Sequence, residues 1–233
     1  MLRNIIFSTI FFSGIVFISL IFLPGLLLPQ SIVLFGGKLM GYWTGLCLKT
    51  ILSVDIKIIG KENIITDEKF FISASHQSMF ETFYLQTIFN SPVFILKKEL
   101  LSIPIFGWYL KKIGSISIKR NKITKDNLDF YSEIINIINK TDRPLIIFPQ
   151  GTRVKPDERP SFKKGVGRIY NSIKLPCIPV ALNSGKVWPK NKFNKYPGKI
   201  TISFLNPINS GLEKEKFINK LETDIYNEID SID

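Results

Sequence analysis

Between Arg3 and Lys38 the chain carries no charged residue, and from Ile5 to Leu28 it is almost wholly apolar. A helix needs roughly 20 apolar residues to cross hydrocarbon, whereas the apolar part of a secretory signal is about 7–15 residues long. The run is therefore too long for an ordinary signal, and no A-x-A-like cleavage site follows Leu28. Pro24 and Gly25 interrupt it, and a second apolar, aromatic-rich stretch from Ile32 to Leu52 carries only Lys38 and Lys49. Two arrangements fit: the first segment spans a bilayer, or the two stretches form a helical hairpin that dips into one leaflet with the Pro-Gly pair at its bend. Residues 1–52 are thus expected to be a membrane-anchoring helical segment and residues 53–233 the main domain.

A chain of 233 residues holds one α/β domain plus such an appendage, but not two large domains. Its formal charge of +12 suits an anionic lipid surface or a nucleic acid, and beside an apolar anchor the lipid is favoured. A nucleic-acid-binding role would leave the apolar N-terminus unexplained. Cys47 and Cys177 lie far apart, with no C-x-x-C or Cys/His cluster, so neither a zinc site nor a disulfide framework is suggested. A reducing, cytoplasmic setting for the main domain fits.

Past residue 53, short β-branched runs alternate with amphipathic stretches, which predicts an α/β domain. Strands are expected at Val54–Ile59, Phe70–Ala74, Val93–Leu96, Ser115–Lys119, Leu145–Phe148, Ile178–Leu182 and Lys199–Phe204, the middle ones buried on both faces. Leu128, Tyr131, Ile134, Ile135 and Ile138 recur at helical spacing behind Thr124 as a cap. A last helix carries Phe217, Ile218, Leu221, Ile225 and Ile229, with Ser210 and Glu213 at capping-box spacing.

His76, the chain's one histidine, follows an apolar strand just before a helix start at Ser78. Strand ends are where α/β proteins place chemistry, and the ordinary histidine pKa of about 6.5 suits proton transfer near neutrality. Five residues on, Glu81 can curl back to the imidazole, fixing its tautomer and stabilising the imidazolium. Ser78-Met79-Phe80-Glu81 also spells a capping box, in which Glu81 would bind the Ser78 amide instead. Spacing alone does not separate the two. Further on, Phe148-Pro149-Gln150-Gly151-Thr152-Arg153 empties a strand into a turn suited to an anion: backbone can approach at Gly151, and Arg153 can grip phosphate through two parallel hydrogen bonds. Gly114 through Arg120 is a strand ending in two cations, with Lys97, Lys98, Lys111 and Lys112 nearby in sequence.

These blocks together resemble the glycerolipid acyltransferase family, and most closely its 1-acyl-sn-glycerol-3-phosphate acyltransferases. The family's H-x-x-x-x-D is similar to His76–Glu81, its G-x-I-x-I-x-R to Gly114, Ile116, Ile118 and Arg120, its F-P-E-G-T-R to Phe148–Arg153, and its I-P-V to Ile178-Pro179-Val180. Lys97-x-Glu99-Leu100 followed by Ile103-Pro104-Ile105-Phe106-Gly107-Trp108 fits between the first two blocks. Glu81 and Gln150 replace the family's aspartate and glutamate, and the latter change removes a charge.

The resemblance favours the His76–Glu81 dyad. It implies a mixed α/β sheet flanked by helices, like that of glycerol-3-phosphate acyltransferase, behind a hydrophobic anchor. It also implies acyl transfer from acyl-CoA or acyl carrier protein to the sn-2 hydroxyl of lysophosphatidic acid, giving phosphatidic acid. His76 would be the base. Lys97, Gly114, Arg120, Gln150, Gly151, Thr152 and Arg153 would bind substrate, with no metal or redox cofactor and no nucleic acid. The expected place is a lipid bilayer, with the catalytic domain on the cytoplasmic face, the inner membrane in a bacterium. The alternatives are a family member with another acceptor, such as glycerol 3-phosphate or another lysolipid, and a degenerate membrane-bound binding protein.

Overall fold

The computed structural model describes residues 1–89, 91–118 and 125–232. Two long helices come first, α1 (Leu2–Ile21) and α2 (Gln30–Leu52), joined by a 3-10 turn at Leu23–Leu27 that contains Pro24 and Gly25. They run antiparallel as a hairpin. The Arg3 guanidinium donates to the Ile51 carbonyl and to Ser53 Oγ, Trp43 Nε1–H donates to the Phe11 carbonyl at 3.2 Å, and the Phe22 and Phe35 rings meet at a tilt, 6.0 Å apart, near the bend. Both are long and apolar enough to cross a membrane, and much of their outer surface, including Phe12, Val16, Phe17, Leu20, Leu27 and Phe35, is exposed.

A seven-stranded sheet follows: β1 (Val54–Ile59), β2 (Phe71–Ala74), β3 (Val93–Lys97), β4 (Ile116–Ile118), β5 (Leu145–Ile147), β6 (Cys177–Leu182) and β7 (Gly198–Phe204). Its order is β1-β7-β6-β2-β5-β3-β4. Every neighbouring pair is parallel except β6 and β7, so five strands point the same way and β1 and β7 oppose them. Every predicted strand forms, with small shifts of its ends. β2, β5 and β6 are buried throughout, as expected of strands covered on both faces.

Alternate side chains divide between two cores. Ile72, Ala74 and Ile146 face the hairpin and α3 (Phe80–Ile88), where Phe7, Phe11, Leu48 and Leu52 bury completely or nearly so. Phe71, Leu145 and Ile147 face α5 (Lys125–Lys140), α6 (Lys164–Ile173) and α7 (Lys214–Ile232). The short α4 (Phe106–Lys112) lies between β3 and β4. The hairpin is therefore one of the two helical layers over the sheet. On α2, Gly37, Gly41 and Gly45 fall four apart on the face against α3. A Cβ at Gly41 would lie 2.6 Å from the Phe83 carbonyl oxygen, and one at Gly45 would lie 2.9 Å from the Tyr84 ring.

Three local expectations change. Ile135 points outward while Phe130 joins Ile134 and Ile138 in the core face of α5. The α7 cap is Glu213 rather than Ser210: its own carboxylate accepts the Glu215 and Lys216 amides at 3.3 and 3.4 Å. The proposed α5 cap, Thr124, lies outside the described residues, as does Lys119.

Candidate active site

The carboxyl ends of the parallel strands meet at one sheet edge, and His76 stands at its middle, just past β2. Ser75 fixes the strand end, its amide donating to the Val180 carbonyl at 2.9 Å and its Oγ accepting the Leu182 amide at 2.9 Å. The His76 carbonyl accepts the Val154 amide at 2.9 Å, drawing the loop after β5 alongside. The imidazole stacks on Phe148, ring centroids 4.0 Å apart and planes 17° apart, so one aromatic face fixes the plane of the other.

His76 Nδ1 is buried without a hydrogen bond, 3.7 Å from Glu81 Oε2. That is ion-pair range but longer than a hydrogen bond, and catalytic contacts often tighten only around substrate. Nε2 is left as the nitrogen available to a substrate. Glu81 is fully buried at the start of α3. Its carboxylate accepts the Gln77 amide at 3.1 Å and the Ser78 amide at 3.1 and 3.2 Å, while Ser78 Oγ accepts the Phe80 amide at 2.9 Å. The dyad and the capping box are thus not alternatives: one carboxylate caps the helix and faces the histidine.

Ser184 completes this arrangement and was not foreseen. Its hydroxyl donates to Glu81 Oε1, and the next residue, Gly185, donates its amide to the Gln77 side chain at 3.0 Å. The loop after β6 thereby locks the loop after β2. Ser184 reaches the His76–Glu81 pair only through the Glu81 carboxylate. Ser184→Ala is expected to lower kcat about tenfold at nearly unchanged KM, because it loosens the dyad and leaves the binding surface intact. Ser184→Thr should restore much of the loss. Steady-state kinetics of the two variants decide it; equal losses in kcat and in thermal stability that threonine does not repair would point to a purely structural hydroxyl.

In the turn after β5, Gly151 takes φ +71, where a side chain is strained, and its amide closes the turn on the Phe148 carbonyl at 2.9 Å. That amide is committed. Among the described residues, the Thr152 and Arg153 amides have no such partner, and Thr152 is exposed. Lys190 Nζ holds the Arg153 carbonyl at 2.7 Å. Lys97 is exposed at the carboxyl end of β3, on the same sheet edge. Gly114 ends the turn after α4 at φ +69, which accounts for glycine there by backbone conformation. Gln150 is 2% exposed and lies beside the Tyr226 hydroxyl on α7, away from solvent. Neither of its polar atoms meets the geometry of a full hydrogen bond. Burial pushes the Tyr226 phenol up to about 12, offset in part by that amide. Arg120 lies outside the described residues.

A family model described as Acyltransferase matches residues 55–183, more than half of the chain, from the second residue of β1 to just past the end of β6. The chain belongs to this acyltransferase family. Among its relatives, the 1-acyl-sn-glycerol-3-phosphate acyltransferase of Pseudomonas aeruginosa is 33% identical over 154 residues, covering 66% of this chain and 59% of that one. The Saccharomyces cerevisiae enzyme of the same description is 28% identical over 193 residues, covering 78% and 63%. This acyltransferase-family chain thus spans about 60% of the length of the curated relatives it matches. The crystal structure of the lysophosphatidic acid acyltransferase PlsC from Thermotoga maritima superposes with a TM-score of 0.79 at 24% identity, covering 99% of this chain and 95% of that one. The mixed sheet and the leading hairpin together are therefore a known acyltransferase-family fold.

Proposed function

We propose that this chain transfers an acyl group from a thioester to the sn-2 hydroxyl of 1-acyl-sn-glycerol 3-phosphate, giving phosphatidic acid. The observation that carries the reading is His76, buried Nδ1 toward Glu81 and Nε2 available, at a strand end beside a turn with uncommitted amides. The names of the curated relatives support the choice of acceptor.

In this mechanism Nε2 takes the hydroxyl proton as that oxygen attacks the thioester carbonyl. The Glu81 carboxylate stabilises the imidazolium so formed. The tetrahedral intermediate collapses by breaking the C–S bond, and the thiolate leaves with the proton from His76. No acyl-enzyme forms and no metal takes part. The Thr152 and Arg153 amides are candidate donors to the developing oxyanion. The Arg153 guanidinium, with Lys97 and Arg120, is assigned to the acceptor's phosphate. Acyl-CoA and acyl carrier protein both satisfy the donor's chemistry.

The hairpin is read as lying in one leaflet. α1 is fastened to the domain along its length, through Asn4 to the Lys195 amide at 2.7 Å and through Phe7 and Phe11 packed edge-on against Trp188. A perpendicular span would have to break these contacts. Lipid acceptors would then reach the sheet edge from the membrane, and a soluble donor from the cytoplasmic side.

The test is acyl transfer from labelled acyl-CoA, and separately from acyl carrier protein, to 1-acylglycerol 3-phosphate by the reconstituted full chain. Phosphatidic acid should appear with at least one donor. Product with glycerol 3-phosphate or another lysolipid alone would replace the acceptor, and none with any would favour a binding role. Arg153→Ala should raise KM for the acceptor about 10–100-fold while kcat changes far less, since a guanidinium–phosphate pair binds ground and transition states alike. A fall in kcat at constant KM would move Arg153 from phosphate binding to the chemical step.

A further inference from the structure

Between β3 and β4 the chain holds out apolar side chains that neither core takes up. Ile103, Ile105, Phe106 and Trp108 are 44%, 37%, 45% and 52% exposed, four such residues within six positions. Single exposed apolar residues need no explanation, but a contiguous group marks a contact surface. The backbone beneath is strained. Ile105 has φ 62 and ψ −59, a conformation a β-branched residue rarely takes, and the Phe106 amide closes a three-residue turn on the Pro104 carbonyl at 2.6 Å. The Gly107 amide donates to Ile103 at 2.7 Å, and a Cβ on Gly107 would fall 2.2 Å from the Leu101 carbonyl oxygen. The turn is thus locked in the shape that presents Ile105 and Phe106 outward.

Position and charge indicate what covers this group. It follows Lys97, which ends β3 at the sheet edge that carries His76 and Thr152, after one 3-10 helix at Lys98–Ser102. α4 behind it is bonded to the hairpin at both ends of the bend: Tyr109 Oη donates to the Ser19 carbonyl at 2.5 Å, and Gln30 Nε2 donates to the Lys112 carbonyl at 2.9 Å. Leu27 and Leu28, 92% and 46% exposed, continue the apolar surface across that bend. Lys97, Lys111 and Lys112 flank the segment, and between Val93 and Ile118 only Glu99 opposes them. Aromatic and aliphatic tips bordered by lysines match the boundary between headgroups and acyl chains of an anionic bilayer.

We infer that Ile103–Trp108 is a second membrane contact, a wedge that seats in the anionic lipid interface beside the hairpin and holds the active-site edge of the sheet at that surface. The inference rests on the reading of the hairpin as lipid-embedded. With two contacts at different places, the domain cannot roll about the hairpin axis, so the opening at His76 keeps one height above the lipid.

The test places an environment-sensitive fluorophore on Ile105→Cys, Phe17→Cys or Lys140→Cys of the full chain, in vesicles of neutral and anionic phospholipid. The buried native Cys47 and Cys177 are controlled by labelling the unsubstituted chain. Ile105→Cys should be blue-shifted, quenched by spin-labelled lipid and shielded from iodide supplied on both membrane faces. Lys140→Cys, exposed at the opposite sheet edge, should stay open to iodide. Phe17→Cys reports the hairpin. If Phe17→Cys is quenched by lipid while Ile105→Cys stays open to iodide, the wedge is wrong and the hairpin reading stands. Shielding of Ile105→Cys without quenching by lipid would assign the surface to a second copy of the chain and likewise overturn it. If Phe17→Cys also escapes lipid, both readings fall together. As a second measurement, Trp108→Asp should lower turnover of vesicle-embedded acceptor about tenfold while changing turnover of a short-chain, water-dispersed acceptor less than about twofold. Equal losses on both acceptors would place Trp108 in the fold or the site instead.

Discussion

Replacing His76 with alanine will lower phosphatidic acid formation by about 10²–10⁴-fold while leaving the fold and the KM values nearly unchanged. The size follows from the role. In the proposed mechanism the imidazole alone takes the proton in the transition state, whereas substrates are held by other groups, so the loss must fall on kcat. The imidazole makes no side-chain hydrogen bond in the free chain, and its stacking on Phe148 contributes little to the core. Thermal unfolding should therefore shift by only a few degrees. A variant with unaltered kcat would remove His76 from the chemistry altogether.

Glu81 behaves differently because its carboxylate holds the loop as well as the histidine. Glu81→Ala leaves the Gln77 and Ser78 amides and the Ser184 hydroxyl buried without their acceptor. Each orphaned buried donor costs about 1–3 kcal/mol, so the chain should lose about 3 kcal/mol or more of stability, a large part of what a domain has. Glu81→Gln keeps one acceptor oxygen and most of the helix cap but loses the charge facing Nδ1. It should stay folded while kcat falls about 10²-fold. The pair, measured by denaturant unfolding and by turnover, separates the two roles. If Glu81→Gln is as active as the unsubstituted chain, Glu81 is a cap and nothing more.

How far the sequence could be read depends on the range of each signal. β2, β5 and β6 are short runs of β-branched and apolar residues, and central parallel strands have no other pattern, so they were legible to within a residue. The motifs themselves were legible, but their meeting at one edge was not, because it depends on β2 and β5 pairing in parallel across an interval that holds β3 and β4. Ser184 was not legible: its partner is 103 positions away, and nothing near it in sequence hints at Glu81. The double duty of Glu81 was hidden for a geometric reason, since a carboxylate has two oxygens and spacing counts it once. The burial of Gln150 against α7 was equally invisible, because it depends on how Tyr226 packs. The choice between a span and a hairpin was open because length and hydropathy are the same for both; the contact on which the one-leaflet reading rests, Phe7 and Phe11 against Trp188, joins residues about 180 positions apart.

α2 ends at Leu52, β1 begins at Val54, and the one residue between, Ser53, sits in a left-handed turn. Flexible tethers let a catalytic head swing through a volume and sample many orientations. Here there is no slack. The head cannot swing away from the hairpin, so under the proposed function its catch would be set by how quickly lysolipids diffuse sideways into a fixed station. For the same reason a protease has no linker to cut between the hairpin and the sheet. A chain started at residue 53 would not be a soluble head either, but a sheet with Ile72, Ile146 and Ile202 on a face that keeps α3 and loses the hairpin from its cover.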